Sequence, residues 1–306
     1  MKSYLPWIGG KGALLHEIIP RLPSIINKYV EPFGGGASVL FGKPISRQEV
    51  YNDYQKDLVN LFQVVRDRPL AFIDTMGFLP LNSRDEYKII LEILSGQLED
   101  TLFVKDELKI AKKVFDPPRY EEIKSLLTTK AEQHDVKRAV LFYKAIIWSY
   151  GSRGKSYGSR VLTLQNLKRT IMRASHRLRR VVIENRDFED LIQAHDSDTT
   201  FFYCDPPYFE TEKIYDADFS KEDHKRLRDC LKQCKGLFLL SYNDCEYIRD
   251  LYQDFMIVPV SRLNNLRQRY EAGSTFPELL ISNYDITLNQ NQHPYQQTLW
   301  EEPYEN

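Results

Sequence analysis

A doubly wound, mostly parallel α/β sheet with a helical insertion and an antiparallel edge hairpin is the fold this sequence predicts, on three observations. Short apolar runs that read as strands alternate with helical stretches in both the first and the last third of the chain. Between them, from about Pro69 to Tyr157, the alternation stops and apolar residues recur at helical spacing, as in Tyr87, Ile90, Leu91 and Leu94. A glycine run follows the first strand and a carboxylate closes the second, the arrangement with which doubly wound sheets hold a ligand.

Taken in order, Trp7-Ile8-Gly9-Gly10-Lys11 opens an amphipathic helix expected over 10–20, with Leu14, Leu15, Ile18 and Ile19 as its apolar face. A strand over 28–33 leads into Glu31-Pro32-Phe33-Gly34-Gly35-Gly36-Ala37-Ser38, where glycines let a ligand approach the backbone. A second strand over 49–52 ends in Asn52-Asp53 and is followed by a helix over 54–66. The insertion is broken by Pro117-Pro118 and closes on Gly151-Ser152-Arg153-Gly154-Lys155-Ser156-Tyr157-Gly158, a flexible basic loop. Strands over 181–185 and 200–204 then bracket a helix over 187–195. Ser220 and Asp223 form a capping box, with Asp in place of the usual Glu, for a helix over 220–234 that reaches Leu227 and Leu231. A strand over 236–242 and a helix over 244–251 follow. Strands over 256–261 and 278–283, joined through Arg262–Pro277, make the edge hairpin. Asp285–Asn306 is Gln/Asn-rich and reads as a polar tail, with Tyr295, Leu299 and Trp300 as apolar exceptions that can dock on the body or on a partner.

The 306 residues are 42% hydrophobic and 28% charged, the composition of an ordinary globular protein with a sizeable core. No apolar run is long enough to span a membrane, and the N-terminus carries no signal-peptide pattern, so a cytoplasmic protein is expected. Four cysteines give no disulfide framework, and Cys230 and Cys234 lack the neighbours of a zinc site, so buried reduced thiols and no metal are expected. The net charge of −1 hides a strong asymmetry. From Val136 to Ile183 there is no Asp or Glu, while Lys137, Arg138, Lys144, Arg153, Lys155, Arg160, Lys168, Arg169, Arg173, Arg177, Arg179 and Arg180 supply twelve positive charges, leaving −13 on the rest of the chain. A run this long with the opposite sign missing is the electrostatic footprint of a phosphate backbone.

Chemistry concentrates at Asp205-Pro206-Pro207-Tyr208, directly after the apolar run Thr200-Phe201-Phe202-Tyr203-Cys204. The prolines end the strand, fix φ at two successive positions and remove two backbone donors. What remains is a rigid platform bearing a carboxylate, free carbonyls and an aromatic face. Such a platform suits a flat heterocycle with an exocyclic amine: Asp205 and the Pro206 carbonyl accept from the NH2 while Tyr208 stacks on the ring. Asp53 lies seventeen residues beyond Gly36, where doubly wound folds place a carboxylate on ribose hydroxyls. The third glycine of a dinucleotide fingerprint is replaced by Val39, which together with the Asp-Pro-Pro-Tyr platform favours S-adenosylmethionine over a nicotinamide cofactor.

These four blocks, in this order, resemble the Dam family of DNA adenine-N6 methyltransferases, over roughly Tyr4 to Tyr284 and least closely in the insertion. The resemblance implies a catalytic, S-adenosylmethionine-binding domain made of residues 1–68 and 158–284, a helical target-recognition insertion over 69–157, and a tail over 285–306. It implies catalysis by Asp205, Pro206, Pro207 and Tyr208. Cofactor contacts are implied from Trp7, Lys11, Phe33, Gly34, Gly36, Asp53, Asp187 and Phe188, with Asp205 near the methionine end. Duplex DNA is the expected partner, with contacts from Arg153, Lys155, Arg160, Ser261 and Arg262. A bacterial or phage origin and a monomer in solution are expected, and a cognate restriction endonuclease, where one exists, is not physically required. Two alternatives stay open at this stage: transfer to cytosine N4, whose amine has the same geometry, and a non-catalytic DNA-binding protein on a methyltransferase scaffold.

Overall fold

Both faces of the strand Thr200–Cys204 (β4) are buried, as its unbroken run Phe201-Phe202-Tyr203-Cys204 requires, and the sheet is built outward from it. The computed structural model describes residues 1–76, 84–95, 109–110, 112–114, 116–118, 120–121, 135–149, 157–158, 164–210, 219–263 and 275–287. β1 (Lys28–Glu31) pairs parallel with β4, and β2 (Gln48–Asn52) pairs parallel with β1, so that Val30 faces both Val50 and Phe202. On the other side of β4 lies β5 (Leu237–Asn243), parallel, with Cys204 opposite Leu240. Antiparallel to β5 runs β7 (Thr275–Ser282), and antiparallel to β7 runs β6 (Met256–Leu263). With β3 (Val181–Glu184) the order of the seven strands is β3-β2-β1-β4-β5-β7-β6. The chain goes from β1 out to β2 and later returns on the other flank of β1 as β4. That reversal places the topological switch point between β1 and β4, beyond whose carboxyl ends such sheets bind ligands.

All seven expected strands form, and the expected edge hairpin is present with its later strand innermost. The reason is chemical. β7 carries Leu279, Leu280 and Ile281, all fully buried, whereas β6 contains Pro259, which cannot donate to a ladder and belongs on an edge.

Among the described residues the helices include, in chain order, α1 (Leu15–Ile18), α2 (Ser38–Gly42), α3 (Lys56–Asp67), α4 (Pro69–Met76), α5 (Arg84–Leu94), α6 (Val136–Ile147), α7 (Leu164–Leu178), α8 (Phe188–His195), α9 (Lys221–Gln233) and α10 (Glu246–Leu251). The helix expected over 10–20 is instead a 3-10 turn (Lys11–Leu14), α1 and a second 3-10 turn (Ile19–Arg21). Gly10, Gly12 and Pro20 leave too short an uninterrupted stretch for one α-helix. Sequence reading misses α2, which is too brief to show a period, and α7. The latter buries Leu167, Ile171, Ala174 and Leu178 at helical spacing, but its many charges mask that period. The capping box is present: the Ser220 hydroxyl accepts from the Asp223 N–H and the Asp223 carboxylate accepts from the Ser220 N–H.

Two compact units divide the chain. The first comprises Met1–Lys2, Gly10–Tyr51 and Asp187–Asn306. Its core joins Val30, Val50, Phe202, Leu227, Leu240, Tyr242 and Ile281 across the sheet and the helices beside it. The second comprises Ser3–Gly9 and Asn52–Arg186. Tyr4, Phe62, Phe72 and Tyr143 pack ring against ring in its interior. Arg138 of α6 grips Asp57 of α3 through two hydrogen bonds and also donates to the Leu94 carbonyl, tying three helices together. No described helix is long and apolar enough to cross a membrane.

Candidate active site

At the carboxyl end of β4 the chain reaches Asp205, and side chains from other elements close around it. Lys11, from the 3-10 turn after the Gly9-Gly10 pair, is one of them: it is 3% exposed, and its Nζ lies 2.7 Å from Asp205 Oδ1 and 2.8 Å from Oδ2. Only the contact to Oδ2 has hydrogen-bond geometry; Oδ1 is buried and accepts no hydrogen bond. The Asp205 side chain is 19% exposed. Burial raises its carboxyl to about 6, Lys11 opposes that rise, Glu278 adds to it and Arg262 opposes it. A carboxylate thus stands at the switch point with both oxygens against the Lys11 ammonium and only Oδ2 in hydrogen-bond geometry with it.

Tyr208, after the two prolines, is 4% exposed and its hydroxyl donates to Glu278 Oε2 at 2.5 Å. Its ring lies 4.7 Å from Lys11 Nζ, 5.9 Å from the Tyr242 ring and 6.5 Å from the nearly parallel Phe276 ring. Burial raises the phenol, and the negative charges of Asp205 and Glu278 raise it further, so it stays a donor. Asn243, at the end of β5, donates from Nδ2 to the Phe209 carbonyl at 3.2 Å.

After β1, the glycine turn answers a packing demand as well as a conformational one. A Cβ on Gly34 would stand 2.1 Å from the Tyr51 ring, whose hydroxyl donates to the Gly35 carbonyl at 2.9 Å. Gly35 has φ 49°, and Ala37, at φ 54°, donates its N–H to the Gly34 carbonyl at 2.7 Å. Gly36 lies within that turn. Phe33 joins an aromatic cluster, 5.4 Å from Phe188 and 5.9 Å from Phe219 by ring centroids. Asp187 caps α8 through the Glu189 N–H and accepts from Arg226 Nη2 at 3.0 Å, while the Arg226 guanidinium lies 4.9 Å from the Phe188 ring centre. An aromatic cluster is therefore bordered by a fixed carboxylate.

Trp7 and Asp53 belong to the second unit. The Trp7 ring is 6.3 Å from Phe142. Asp53 follows β2 directly, accepts from the Gln55 N–H through Oδ1 and from Asn185 Nδ2 through its carbonyl. The side-chain amide of its neighbour Asn52 donates to the Arg186 carbonyl and accepts from the Arg186 N–H, so the turn after β2 is laced to the turn after β3.

The first unit thus brings together Lys11, Asp205, Pro206, Pro207 and Tyr208, and separately Phe33, Asp187 and Phe188. Of the expected DNA contacts, Ser261 is exposed, Arg262 is engaged by Glu278, and Arg153, Lys155 and Arg160 lie outside the described residues. Sequence reading misses Glu278, Asn243, Arg226 and Tyr51. An acid directly before the apolar run Leu279-Leu280-Ile281 is the one local signal for Glu278. The four cysteines are free, Cys204 buried and the other three half-buried.

Comparison with known proteins gives a family and several relatives. A family described as D12 class N6 adenine-specific DNA methyltransferase matches residues 7–266. The chain is similar to the Type II methyltransferase M1.LlaDCHI of Lactococcus lactis subsp. cremoris, at 26% identity over 93% of this chain and 96% of that protein. It is similar to the Type II methyltransferase M.MjaIII of Methanocaldococcus jannaschii, at 28% identity over 93% of this chain and 99% of that protein. A DNA adenine methylase of Haemophilus influenzae is 22% identical over 91% of this chain and 92% of its own length.

Proposed function

The chain belongs to the D12 class of N6 adenine-specific DNA methyltransferases, and from that premise we propose that it transfers a methyl group from S-adenosylmethionine to the N6 amine of an adenine flipped out of duplex DNA at a specific site. The observation that carries the assignment of roles is Asp205 Oδ1, which is buried at the end of β4 on a proline-locked platform, lies beside the Lys11 ammonium and accepts no hydrogen bond. The N6 lone pair is delocalised into the ring, which makes the amine a poor nucleophile. Hydrogen bonds from that amine to Asp205 Oδ1 and the Pro206 carbonyl favour its pyramidal form and the positive charge that develops on it. With its carboxyl raised to about 6, Asp205 is also basic enough to receive the proton that N6 must lose.

The residues present fit S-adenosylmethionine. Its adenine suits the cluster of Phe33, Phe188 and Phe219, with Asp187 at the border as an acceptor, and its cationic methionine end suits the carboxylate of Asp205. Trp7, Lys11, Gly34, Gly36 and Asp53 complete the proposed cofactor set. When bound, this cofactor supplies an electrophilic methyl on a sulfonium; the protein's share is orientation and charge. Flipping the base costs a few kcal/mol, and stacking on Tyr208 returns roughly 1–3 kcal/mol. Because Tyr208 is 4% exposed, that stacking requires its ring to be uncovered when DNA binds.

In functional terms we divide the chain as 1–68 and 158–284 for catalysis, 69–157 for target recognition and 285–306 as a tail. The packing units cut differently, since 52–68 and 164–186 fall in one unit with the helices of the insertion. A monomer acting on bacterial or phage DNA in the cytoplasm, with no physical need of a restriction partner, completes the reading. Expression in a methylation-free bacterial strain followed by genome-wide mapping of modified bases tests it. N6-methyladenine at one short sequence is the expected result; N4-methylcytosine, or no modification with cofactor binding intact, overturns it.

Asp53→Ala weakens S-adenosylmethionine binding in calorimetry while DNA affinity without cofactor stays within about twofold, since ribose hydroxyls lose an acceptor worth about 1.5–3 kcal/mol. Unaltered cofactor affinity would reduce Asp53 to a turn residue. Replacing Arg153, Lys155 and Arg160 together with alanine makes the log-affinity versus log-salt slope shallower by about one unit for each phosphate that is no longer neutralised. Removal of a side chain that reads a base edge instead relaxes site choice by roughly 1–3 kcal/mol. Binding, slope and methylation pattern all unchanged would show that the loop only connects.

A further inference from the structure

We propose that Glu278, with Arg262 as its counter-ion and Asn243 beside it, is a positioning residue that holds Tyr208–Phe209 in place and enriches the Tyr208 ring in electron density. The inference rests on the reading of Tyr208 as the ring the target base meets.

Register brings these side chains together. Asn243 and Glu278 face each other directly on β5 and β7, at the carboxyl end of β5. Across the other ladder Glu278 faces Val260, and Arg262, two residues further along the same face of β6, is within diagonal reach. Glu278 is fully buried, with Arg262 Nε donating to Oε1 and the Tyr208 hydroxyl donating to Oε2. Asn243 meanwhile donates to the carbonyl of the next residue, Phe209. One cross-strand pair therefore grips two consecutive residues of the platform, one by its side chain and one by its backbone. A strand needed only for packing would place a hydrophobic residue at 278, because a buried carboxylate is costly unless every oxygen finds a donor.

The choice of a carboxylate has a chemical consequence for the ring. A hydroxyl donating to an anion is polarised, which shifts electron density from oxygen into the phenol and strengthens the negative potential on its faces. Lys11 Nζ already lies 4.7 Å from that ring. A target amine gains positive charge as the methyl arrives, and an electron-rich ring stacked on the base stabilises that charge. Gln at 278 would keep the shape, lose the negative charge and present only one acceptor to two donors.

Single-turnover methylation of the mapped site, at saturating S-adenosylmethionine, tests this with Tyr208→Phe, Glu278→Gln and the double variant. Each single change is expected to slow transfer about tenfold or more, with cofactor affinity within about twofold, and the double variant is expected to be no slower than the worse single one. A duplex with 2-aminopurine at the target position is expected to show altered fluorescence in its complex with Glu278→Gln, which a packing role would leave unchanged. Losses that multiply in the double variant, or a Glu278→Gln protein as fast as wild type, overturn the proposal. Should Glu278→Gln not fold, Asn243→Ala and Tyr208→Phe leave the buried ion pair in place: slowed transfer in both supports the proposal, and wild-type rates in both overturn it. A wild-type chain that methylates no DNA overturns the functional reading and this inference with it. Adenine methylation without coupling overturns this inference alone.

Discussion

Asp205→Ala abolishes methyl transfer while leaving DNA affinity within a few fold. The variant removes the buried acceptor Oδ1 and the partner of an ammonium that is itself 3% exposed, and the neighbouring carboxylate of Glu278 is already engaged by Arg262 and Tyr208. Loss of one preorganised electrostatic partner of a developing charge typically costs ~3–4 kcal/mol, or 10²–10³ in rate. Asp205→Asn separates chemistry from packing, because the amide keeps the shape and can still accept at one atom, but it carries no charge and cannot receive a proton. Both variants should be read in single turnovers beside a melting curve. Retention of more than about a tenth of the wild-type rate, ~1.4 kcal/mol, would remove Asp205 from its role.

Lys11→Met shifts the pH dependence of the reaction and slows it at neutral pH. In the wild type the carboxyl of Asp205 stands at about 6, because Lys11 holds down a value that burial drives up. Glu278 pushes in the same direction as burial, and Arg262 alone among the other named groups pulls against it. Without the ammonium the carboxyl rises further, so at any fixed pH a smaller fraction is ionised. A raised acid pKa moves the acid limb of kcat/KM to higher pH, from about 6 in the wild type to well above it in the variant. The rate at pH 7 is expected to fall about twofold if the carboxyl rises by one unit and about tenfold if it rises by two, and to recover toward pH 9, because the ionised fraction falls from about 0.9 to about 0.5 and about 0.1. An acid limb still near 6 would mean that the pair does not set the ionisation of Asp205.

Strand positions were legible because short apolar runs such as Phe201–Cys204 and Phe238–Leu240 suit a strand buried on both faces. Local hydrogen-bond chemistry made the start of α9 legible too, since Ser220 and Asp223 need only each other. The platform could be read for the same reason: two prolines fix their own backbone. Glu278 could not, since acids are seldom fully buried and the donors that allow it come from residues 16 and 70 positions away. The need for Gly34 was half legible. Its place after a strand suggested a ligand, but the Tyr51 ring that forbids a side chain there belongs to the next strand. Arg226 looked like one more charge on a helix face, until α8 and α9 came together and set it between Asp187, Glu189 and the Phe188 ring.

The position of β7 sets the order in which a newly made chain can become an enzyme. β5 and β6 are both synthesised before the strand that joins them, so a nascent chain that has not yet emitted Thr275–Ser282 holds β5 as an unpaired apolar edge and β6 with no neighbour. An unpaired apolar edge of this kind exposes a chain to aggregation. The unfinished chain also lacks the acid that receives the Tyr208 hydroxyl and the backbone that faces Asn243, so Tyr208 is anchored only once this closing strand arrives. Vectorial synthesis therefore completes the sheet and the platform in a single late step.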